Sequence, residues 1–258
     1  MEQNTVIVEK KEMIGIITLN RAEEMNTFNV PFAGALNRAL RDLDQDNEIR
    51  VVVIRAAGKH FSTGISLKEF RGKNPRELKE FLALMDEFYH TIPRMKKPVI
   101  ASVKGAAVAN GAGLVFACDL AVAAENAKFG TTAINVGLIC LGPAVPLTRL
   151  VGRKKALEMV LTGDIFSAQE AERIGLINKV VPPDELESAT MELAAKLAHK
   201  SPQALQTGKS GIYSMSEIPY HQAIDYMDEL FASLCATQDA LEGIDAFLEK
   251  REPVWKNK

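Results

Sequence analysis

Residues 99–124 read VIASVKGAAVANGAGLVFACDLAVAA, and this stretch decides the fold. Its β-branched beginning, Val99 to Val103, predicts a buried strand that leads into a turn of small residues from Ala109 to Gly113. A short helical run from Leu114 to Cys118 and a second strand from Leu120 to Ala124 follow. The first amides of a helix have no partner within it and lie at the positive end of its dipole. The turn therefore offers a binding place for negative charge.

A second strand-to-helix turn upstream contains another candidate backbone amide donor. Val51 to Arg55 is typical of a buried strand, and a loop that contains Gly64 follows it. Gly64 frees the backbone immediately before Ile65, whose amide is a candidate for a second donor. Two backbone amides from two such turns can together stabilise an oxygen atom on which negative charge develops.

Strands and helices alternate through the first half of the chain. Apolar residues at helical spacing predict a helix from about Phe32 to Leu43 and a long amphipathic helix from Leu78 to Ile92, which Pro93 ends. This alternation predicts parallel βαβ units with right-handed crossovers. Further strands are predicted at Val6 to Val8, Ile14 to Leu19 and Leu176 to Val181.

The pattern becomes mainly helical after about Gly142. Ser167 and Glu170 form a capping box, and Gly175 is expected to close that helix. Four more helices are predicted, over residues 185–199, 202–213, 218–234 and 238–250.

Composition limits the partners of this chain. Its 258 residues are 47% hydrophobic and 25% charged, and the net charge of −2 argues against nucleic acid or an anionic membrane as the main partner. Lys104 and Asp119 interrupt the longest apolar stretches, so no membrane span is expected. Three cysteines without CxxC pairing fit a reducing cytoplasm, and the N-terminal residues contain no apolar run typical of a signal peptide. From the cysteines and the N-terminal residues we expect a cytoplasmic protein. The histidines show no metal-ligand spacing, so we expect no metal.

Short motifs occur in order along nearly the whole chain: Leu19-Asn-Arg21, Phe61-Ser-Thr-Gly64, Lys97-Pro-Val-Ile100, Val103-Lys-Gly105, Cys118-Asp119, Phe129-Gly130, Arg149-Leu-Val-Gly152, Leu161-Thr-Gly-Asp164, Gly175-Leu176 and Phe247-Leu-Glu-Lys-Arg251. Together they resemble the crotonase superfamily, also called the enoyl-CoA hydratase/isomerase family. The resemblance implies an α/β fold, with a ββα spiral core over residues 1–195 and a C-terminal helical trimerisation region over residues 196–258. It also implies an acyl-CoA thioester as ligand, no cofactor beyond the coenzyme A of the substrate, and a homotrimer or a dimer of trimers.

The resemblance assigns roles to residues of the two turns. The amides of Ile65 and Asn110 take the positions of an oxyanion hole, which holds a thioester oxygen as it becomes an enolate. Asn110 replaces the usual glycine, and asparagine tolerates a left-handed backbone. Gly113 and Ala133 stand where the hydratases carry two glutamates, and Leu141 stands about where other members carry an aspartate. None of these three residues can carry a proton, so we expect poor hydration.

Contacts to the rest of the ligand are implied on the same basis. Residues implied to contact coenzyme A are Arg21, Ser62, Gly64 and Lys68, with Phe247 and Lys250 reaching the nucleotide of a neighbouring subunit. Residues implied to line the acyl pocket are Thr132, Leu138, Cys140 and Leu141. The Cys140 thiol is a candidate nucleophile, but a free cysteine in apolar surroundings is more often a small buried hydrophobe.

Two functions remain open at this stage. The first is an enzyme of the enoyl-CoA hydratase/isomerase class that stabilises a thioester enolate and whose acid–base group is unassigned. The second is a non-catalytic protein that binds acyl-CoA without turning it over. A titrating group within reach of the thioester α-carbon discriminates between them, since the fold alone does not determine the reaction.

Overall fold

The computed structural model describes residues 4–258, so residues 1–3 of the predicted core lie outside the described part. These described residues form an α/β fold with two sheets. The strands are β1 (Val6–Lys11), β2 (Ile14–Leu19), β3 (Val51–Ala56), β4 (Val99–Val103), β5 (Ala106–Val108), β6 (Leu120–Ala124), β7 (Lys128–Gly130), β8 (Ile165–Ser167) and β9 (Lys179–Val181).

The larger sheet has six strands in the order β1-β2-β3-β4-β6-β9. β1 and β2 form an antiparallel hairpin, and all later neighbours pair in parallel. β3 and β4 are buried almost throughout, which explains their continuous apolar sequence: both faces of a parallel sheet are covered. The predicted parallel units are confirmed, although β9 is limited to the last three residues of the predicted strand.

The smaller sheet was not predicted. Its three strands, in the order β5-β7-β8, are each only three residues long, too short to show periodicity. A single bridge between Ser62 and Ala107 ties this sheet to the loop after β3, and a second bridge, between Ile65 and Phe28, ties that loop to the segment after β2. The sheet therefore brings the Gly64 turn beside the turn that follows β5.

Ten helices cover the sheets and form the C-terminal region within residues 4–258. Phe32, Leu36, Leu40 and Leu43 of the first helix are buried against the sheet, as their spacing predicts. The helices are α1 (Val30–Gln45), α2 (Pro75–Met85), α3 (Phe88–Arg94), α4 (Asn110–Ala117), α5 (Leu141–Thr162), which breaks at Gly152, α6 (Ala168–Arg173), α7 (Leu186–Ala198), α8 (Pro202–Met215), α9 (Tyr220–Cys235) and α10 (Gln238–Glu249). The capping box of Ser167 and Glu170 is present at the start of α6.

The long helix predicted over Leu78 to Ile92 is wrong in one respect: it is two helices. α2 ends at Met85 and α3 begins at Phe88, with Asp86 as the C-cap of α2. The apolar spacing continues across the break, because Phe81, Met85 and Phe88 all enter the same core, and so the periodicity does not reveal it.

The predicted boundary between the core and the C-terminal region, at residue 195, falls inside a helix. α7 runs through residue 195, and its Ala194 and Ala198 pack on the sheet beside Ile14 and Val51, so α7 belongs to the core. α8 is anchored by an ion pair between Lys209 Nζ and Asp119 Oδ2 at 2.7 Å. In contrast, α9 contains no buried residue.

Candidate active site

A pocket of about 750 Å³ opens where the two turns meet. Its lining is mainly apolar and comes from the Gly64 turn, α2, the start of α4 and the segment before α5. Seven residues predicted for the site line it: Ile65, Asn110, Thr132, Ala133, Leu138, Cys140 and Leu141. The structure therefore gathers both predicted amide donors and the predicted acyl-pocket residues around one cavity.

The two turns contact each other so closely that they require glycine. Gly64 has a φ of +91°, and a Cβ there would lie 2.7 Å from Ala109 Cβ and 3.2 Å from Asn110 N. A Cβ on Gly111 would overlap the carbonyl oxygen of Ser62. The small residues of both sequence stretches thus serve a close backbone approach, which sets Ile65 and Asn110 near each other.

Neither predicted donor amide is used by the fold. Within residues 4–258, the N–H groups of Ile65 and Asn110 donate no hydrogen bond, whereas their neighbours Ser66 and Ala109 donate to Phe28 and Gly130. Asn110 is the first residue of α4, so its amide has no helical acceptor. Two unsatisfied donors at one pocket form a site that can receive an oxygen with growing negative charge.

The strained residue of this turn is Ala109, not Asn110. Ala109 has φ +49° and ψ −124°, a conformation rare for a residue with a side chain, while Asn110 is helical. The left-handed backbone considered for Asn110 is therefore wrong: the chain reverses one residue earlier and α4 starts at Asn110 instead of Leu114.

Tyr89 occupies the space beside Gly113. A Cβ on Gly113 would overlap Tyr89 Oη and lie 3.0 Å from Pro143 Cγ. Tyr89 Oη donates a hydrogen bond of 3.0 Å to Asn110 Oδ1, and Asn110 Nδ2 donates one of 3.3 Å to the carbonyl of Met85. The side chain of Asn110 thereby fastens the start of α4 to the α2–α3 junction.

Asp86 is the functional candidate that sequence reasoning missed. It is the one carboxylate that lines the pocket among the described residues. Burial raises its pKa from 3.8 to about 6, and a hydrogen bond from the side chain of Asn110 opposes that rise. A signal was present in the sequence: Asp86 stands four residues after Leu82 and three before Tyr89, on the apolar face of the predicted helix.

Cys140 is the N-cap residue of α5, and its side chain is buried. Burial raises the pKa of its thiol, which a backbone hydrogen bond from Ala133 lowers only in part. A neutral buried thiol is a poor nucleophile, in agreement with the interpretation of Cys140 as a small hydrophobe.

Two of the residues implied to contact coenzyme A make hydrogen bonds within the chain. The Ser62 hydroxyl is fully buried, donates to Asn26 O at 2.8 Å and accepts from Gly64 N at 3.3 Å. Ser62 therefore shapes the turn and is buried in the structure of the chain alone, and its contact with coenzyme A stays a prediction. The Arg21 guanidinium donates to Thr27 O and lies 3.9 Å from Glu24.

The other residues implied for coenzyme A differ in their surroundings. Gly64 is buried between the turns, and Lys68 is exposed in a 3-10 helix next to the pocket lining. Phe247 is 82% exposed near the end of α10, and Lys250 is the C-cap of that helix. Neither Phe247 nor Lys250 lines the pocket of its own chain, so their roles stay predictions that require a neighbouring subunit.

Comparison with known proteins identifies the class. The family model for enoyl-CoA hydratase/isomerase matches residues 9–258. A "probable enoyl-CoA hydratase" of Rhizobium meliloti is 35% identical over 100% of both chains. The mitochondrial "enoyl-CoA hydratase domain-containing protein 3" of Mus musculus is 35% identical over 99% of this chain and 86% of its own. The crystal structure of an enoyl-CoA hydratase from Mycobacterium smegmatis has a TM-score of 0.94 and 38% identity, covering 97% of this chain and 98% of that one.

The chain belongs to the enoyl-CoA hydratase/isomerase family, the crotonase superfamily, and its α/β fold is that of the family. In the part of the chain that the structure describes, every helix is too short or too polar to traverse a bilayer.

Proposed function

We propose that this protein binds an acyl-CoA thioester and stabilises its enolate, with the thioester oxygen between the amides of Ile65 and Asn110. The observation that carries this proposal is the pair of unused donors at one largely apolar pocket. When a base removes a proton from the α-carbon, negative charge moves onto the carbonyl oxygen. Donors already in place stabilise that charge without reorganising, by about 3–4 kcal/mol each in comparable sites.

Efficient hydration is not part of this proposal, despite the names of the relatives. Adding water across a conjugated double bond needs a base for the water and an acid for the α-carbon. Gly113, Ala133 and Leu141 have no titratable group, and Tyr89 fills the volume that a side chain at 113 would need. We expect turnover of crotonyl-CoA to be far below ordinary enzyme rates of about 1–10³ s⁻¹.

The assembly we propose is a homotrimer or a dimer of trimers, in the cytoplasm. α9 buries none of its residues, and Phe231 of α9 and Phe247 of α10 are among the exposed apolar side chains. A symmetric interface would remove this surface from water. It would also allow Phe247 and Lys250 to reach a neighbour's nucleotide. Light scattering at micromolar concentration tests this assembly, and a monomer would contradict it.

Binding and enolisation are tested separately. Calorimetry with short, medium and aromatic acyl-CoAs measures binding, and NMR in D₂O measures exchange of the α-protons. We expect binding of at least one thioester and exchange of its α-protons. The same acyl chains as free acids serve as the control, because they lack the coenzyme A portion. If no acyl-CoA binds at high micromolar protein, the proposed function is wrong.

A non-catalytic acyl-CoA-binding protein is the second candidate. The residues without titratable groups at 113, 133 and 141 favour it. Binding without α-proton exchange would support this candidate, whereas binding with exchange would support the enzyme.

A further inference from the structure

We propose that Asp86 is the acid–base group of this pocket and moves a proton on and off the acyl chain of the bound thioester. This inference rests on the proposed function, because it needs the thioester oxygen at Ile65 and Asn110. Asp86 reaches the pocket from the break between α2 and α3, and so from a different element than Gly113, Ala133 and Leu141.

The position of Asp86 lowers the stability of the folded chain. It caps the C-terminus of α2, where the partial negative charge of the helix opposes a carboxylate. Its side chain is largely buried, and no cationic group of residues 4–258 lies within 4.0 Å of it. A buried carboxylate without a counter-charge costs stability, and such groups concentrate at functional sites.

The surroundings of Asp86 place its carboxylate beside the oxyanion hole. Its pKa responds to the side chain of Asn110, the residue whose amide forms half of that hole. On the other side the carboxylate lies against Gly142, where a Cβ would be 2.7 Å from Asp86 Oδ2. The acyl chain beyond a thioester oxygen held at Asn110 therefore enters a cavity that Asp86 lines.

The titratable groups that face Asp86 stay protonated near neutral pH, so Asp86 is the base of the site. Tyr89 approaches from α3 and Cys140 from the N-terminus of α5, while α4 contributes the neutral amide of Asn110. Burial raises the pKa of both Tyr89 and Cys140, and the charge of Asp86 raises that of Tyr89 further. Both groups stay protonated near neutral pH. Asp86, with its pKa raised to about 6, is ionised there yet still basic enough to accept a proton.

A single carboxylate is sufficient for a proton shift within the acyl chain. Asp86 takes a proton from the α-carbon, the C–H electron pair moves into an enolate, and the charge rests on the oxygen held by Ile65 and Asn110. If a double bond follows the α-carbon, Asp86 returns the proton to the γ-carbon while the electron pair leaves the oxygen. The double bond then lies next to the carbonyl. Atoms and electrons balance without water or a redox partner, so the substrate class is a thioester with an enolisable α-carbon.

The experiment compares Asp86→Asn with Glu87→Gln. Asparagine keeps the shape of Asp86 but cannot accept a proton. Glu87 is the neighbouring carboxylate, outside the pocket and paired with Arg41, so Glu87→Gln is a matched control. Calorimetry measures acyl-CoA binding, and α-proton exchange and conversion of a 3-enoyl-CoA to the 2-enoyl-CoA measure the chemistry. We expect Asp86→Asn to lose about 10²-fold or more in both reactions, while its binding and the activity of Glu87→Gln stay near the wild-type values.

The pH profile gives a second readout. Wild-type exchange should rise with pH through about 6 and then level off, because the ionised carboxylate is the active form. The residual rate of Asp86→Asn should lack this inflection. Undiminished exchange in Asp86→Asn, or binding without exchange in the wild type, would overturn the role of Asp86 and leave thioester binding intact. Absence of binding in the wild type would instead overturn the proposed function.

Discussion

The two walls of the pocket are built on different principles. One wall offers the backbone amides of Ile65 and Asn110, and the other offers the carboxylate of Asp86. Backbone donors depend only on the course of the chain, and every residue except proline has one. Side-chain groups depend on which residue stands at one position. The amide wall is therefore present whatever the residue types at Ile65 and Asn110, except proline, whereas the titratable group can come from a different element.

Removing one amide donor should have the largest effect. Asn110→Pro eliminates the N–H, and proline is tolerated at the first position of a helix. We expect α-proton exchange to fall roughly 10²–10³-fold, the usual cost of one lost oxyanion donor. NMR in D₂O measures it, after circular dichroism and melting confirm folding.

The matched control for this variant is Asn110→Ala, which keeps the amide. It should retain the plateau rate but move the midpoint of the pH profile upward, because the side chain of Asn110 lowers the pKa of Asp86. Ile65→Pro tests the second donor independently. Equal rates of α-proton exchange for Asn110→Ala and Asn110→Pro would show that the amide of residue 110 does not stabilise the charge on the thioester oxygen.

Replacing the Asp86 carboxylate by a neutral amide, in Asp86→Asn, should stabilise the fold above about pH 6. The pKa of Asp86 is higher in the folded chain, about 6, than the usual 3.8, so the folded state binds the proton more tightly. Its stability must therefore fall as pH rises from about 4 to about 6. A rise of this size costs about 3 kcal/mol, since one pKa unit corresponds to about 1.4 kcal/mol.

Thermal melting of Asp86→Asn checks this cost. The variant should melt higher than the wild type at about pH 8, and the difference should vanish towards about pH 4, where both side chains are neutral. Glu87→Gln should show no such pH-dependent gain. A lower melting temperature of Asp86→Asn at both pH values would mean that Asp86 has a structural partner.

Adding one methyl group beside Tyr89 should have a smaller effect. The new Cβ of Gly113→Ala would overlap Tyr89 Oη and lie 2.9 Å from Tyr89 Cζ. We expect a loss of about 1–3 kcal/mol from overpacking, partly recovered by Tyr89→Phe, as measured by denaturant unfolding. Gly34→Ala in α1 is the control, because a Cβ there meets nothing within 4 Å.

The same contact sets a condition for installing hydratase chemistry. Gly113→Glu with Ala133→Glu has no room for the first glutamate unless Tyr89 is also shortened. We expect crotonyl-CoA hydration to rise only when Tyr89→Ala accompanies both changes. Wild-type hydration at ordinary enzyme rates would show that a second acid–base group is present.

Replacing the buried thiol should have the smallest effect on the chemistry. Cys140→Ala removes a group whose raised pKa keeps it neutral, so exchange should change little. Alkylation followed by mass spectrometry should modify the exposed Cys235 and spare Cys140, and Cys235→Ser is the control. A large loss of exchange in Cys140→Ala would assign the thiol to the side-chain wall.

Local sequence determined most of the amide wall. The apolar runs of β3, β4 and β6, the small residues of both turns and the capping box at Ser167 are all readable without a structure. Each signal lies within a few residues of the feature it predicts. Gly64 indicated Ile65 as a candidate donor, whereas Asn110 was assigned from the family resemblance.

Tertiary structure decided the side-chain wall. Asp86 lines the pocket because the helix breaks there, although its apolar spacing continues from Phe81 to Phe88. Tyr89 fills the space beside Gly113, which lies 24 positions away in the chain. Likewise, the three-residue strands of the smaller sheet are held by remote partners. Periodicity records which face of an element is buried, whereas the residue that occupies a given volume is fixed only when distant segments pack together.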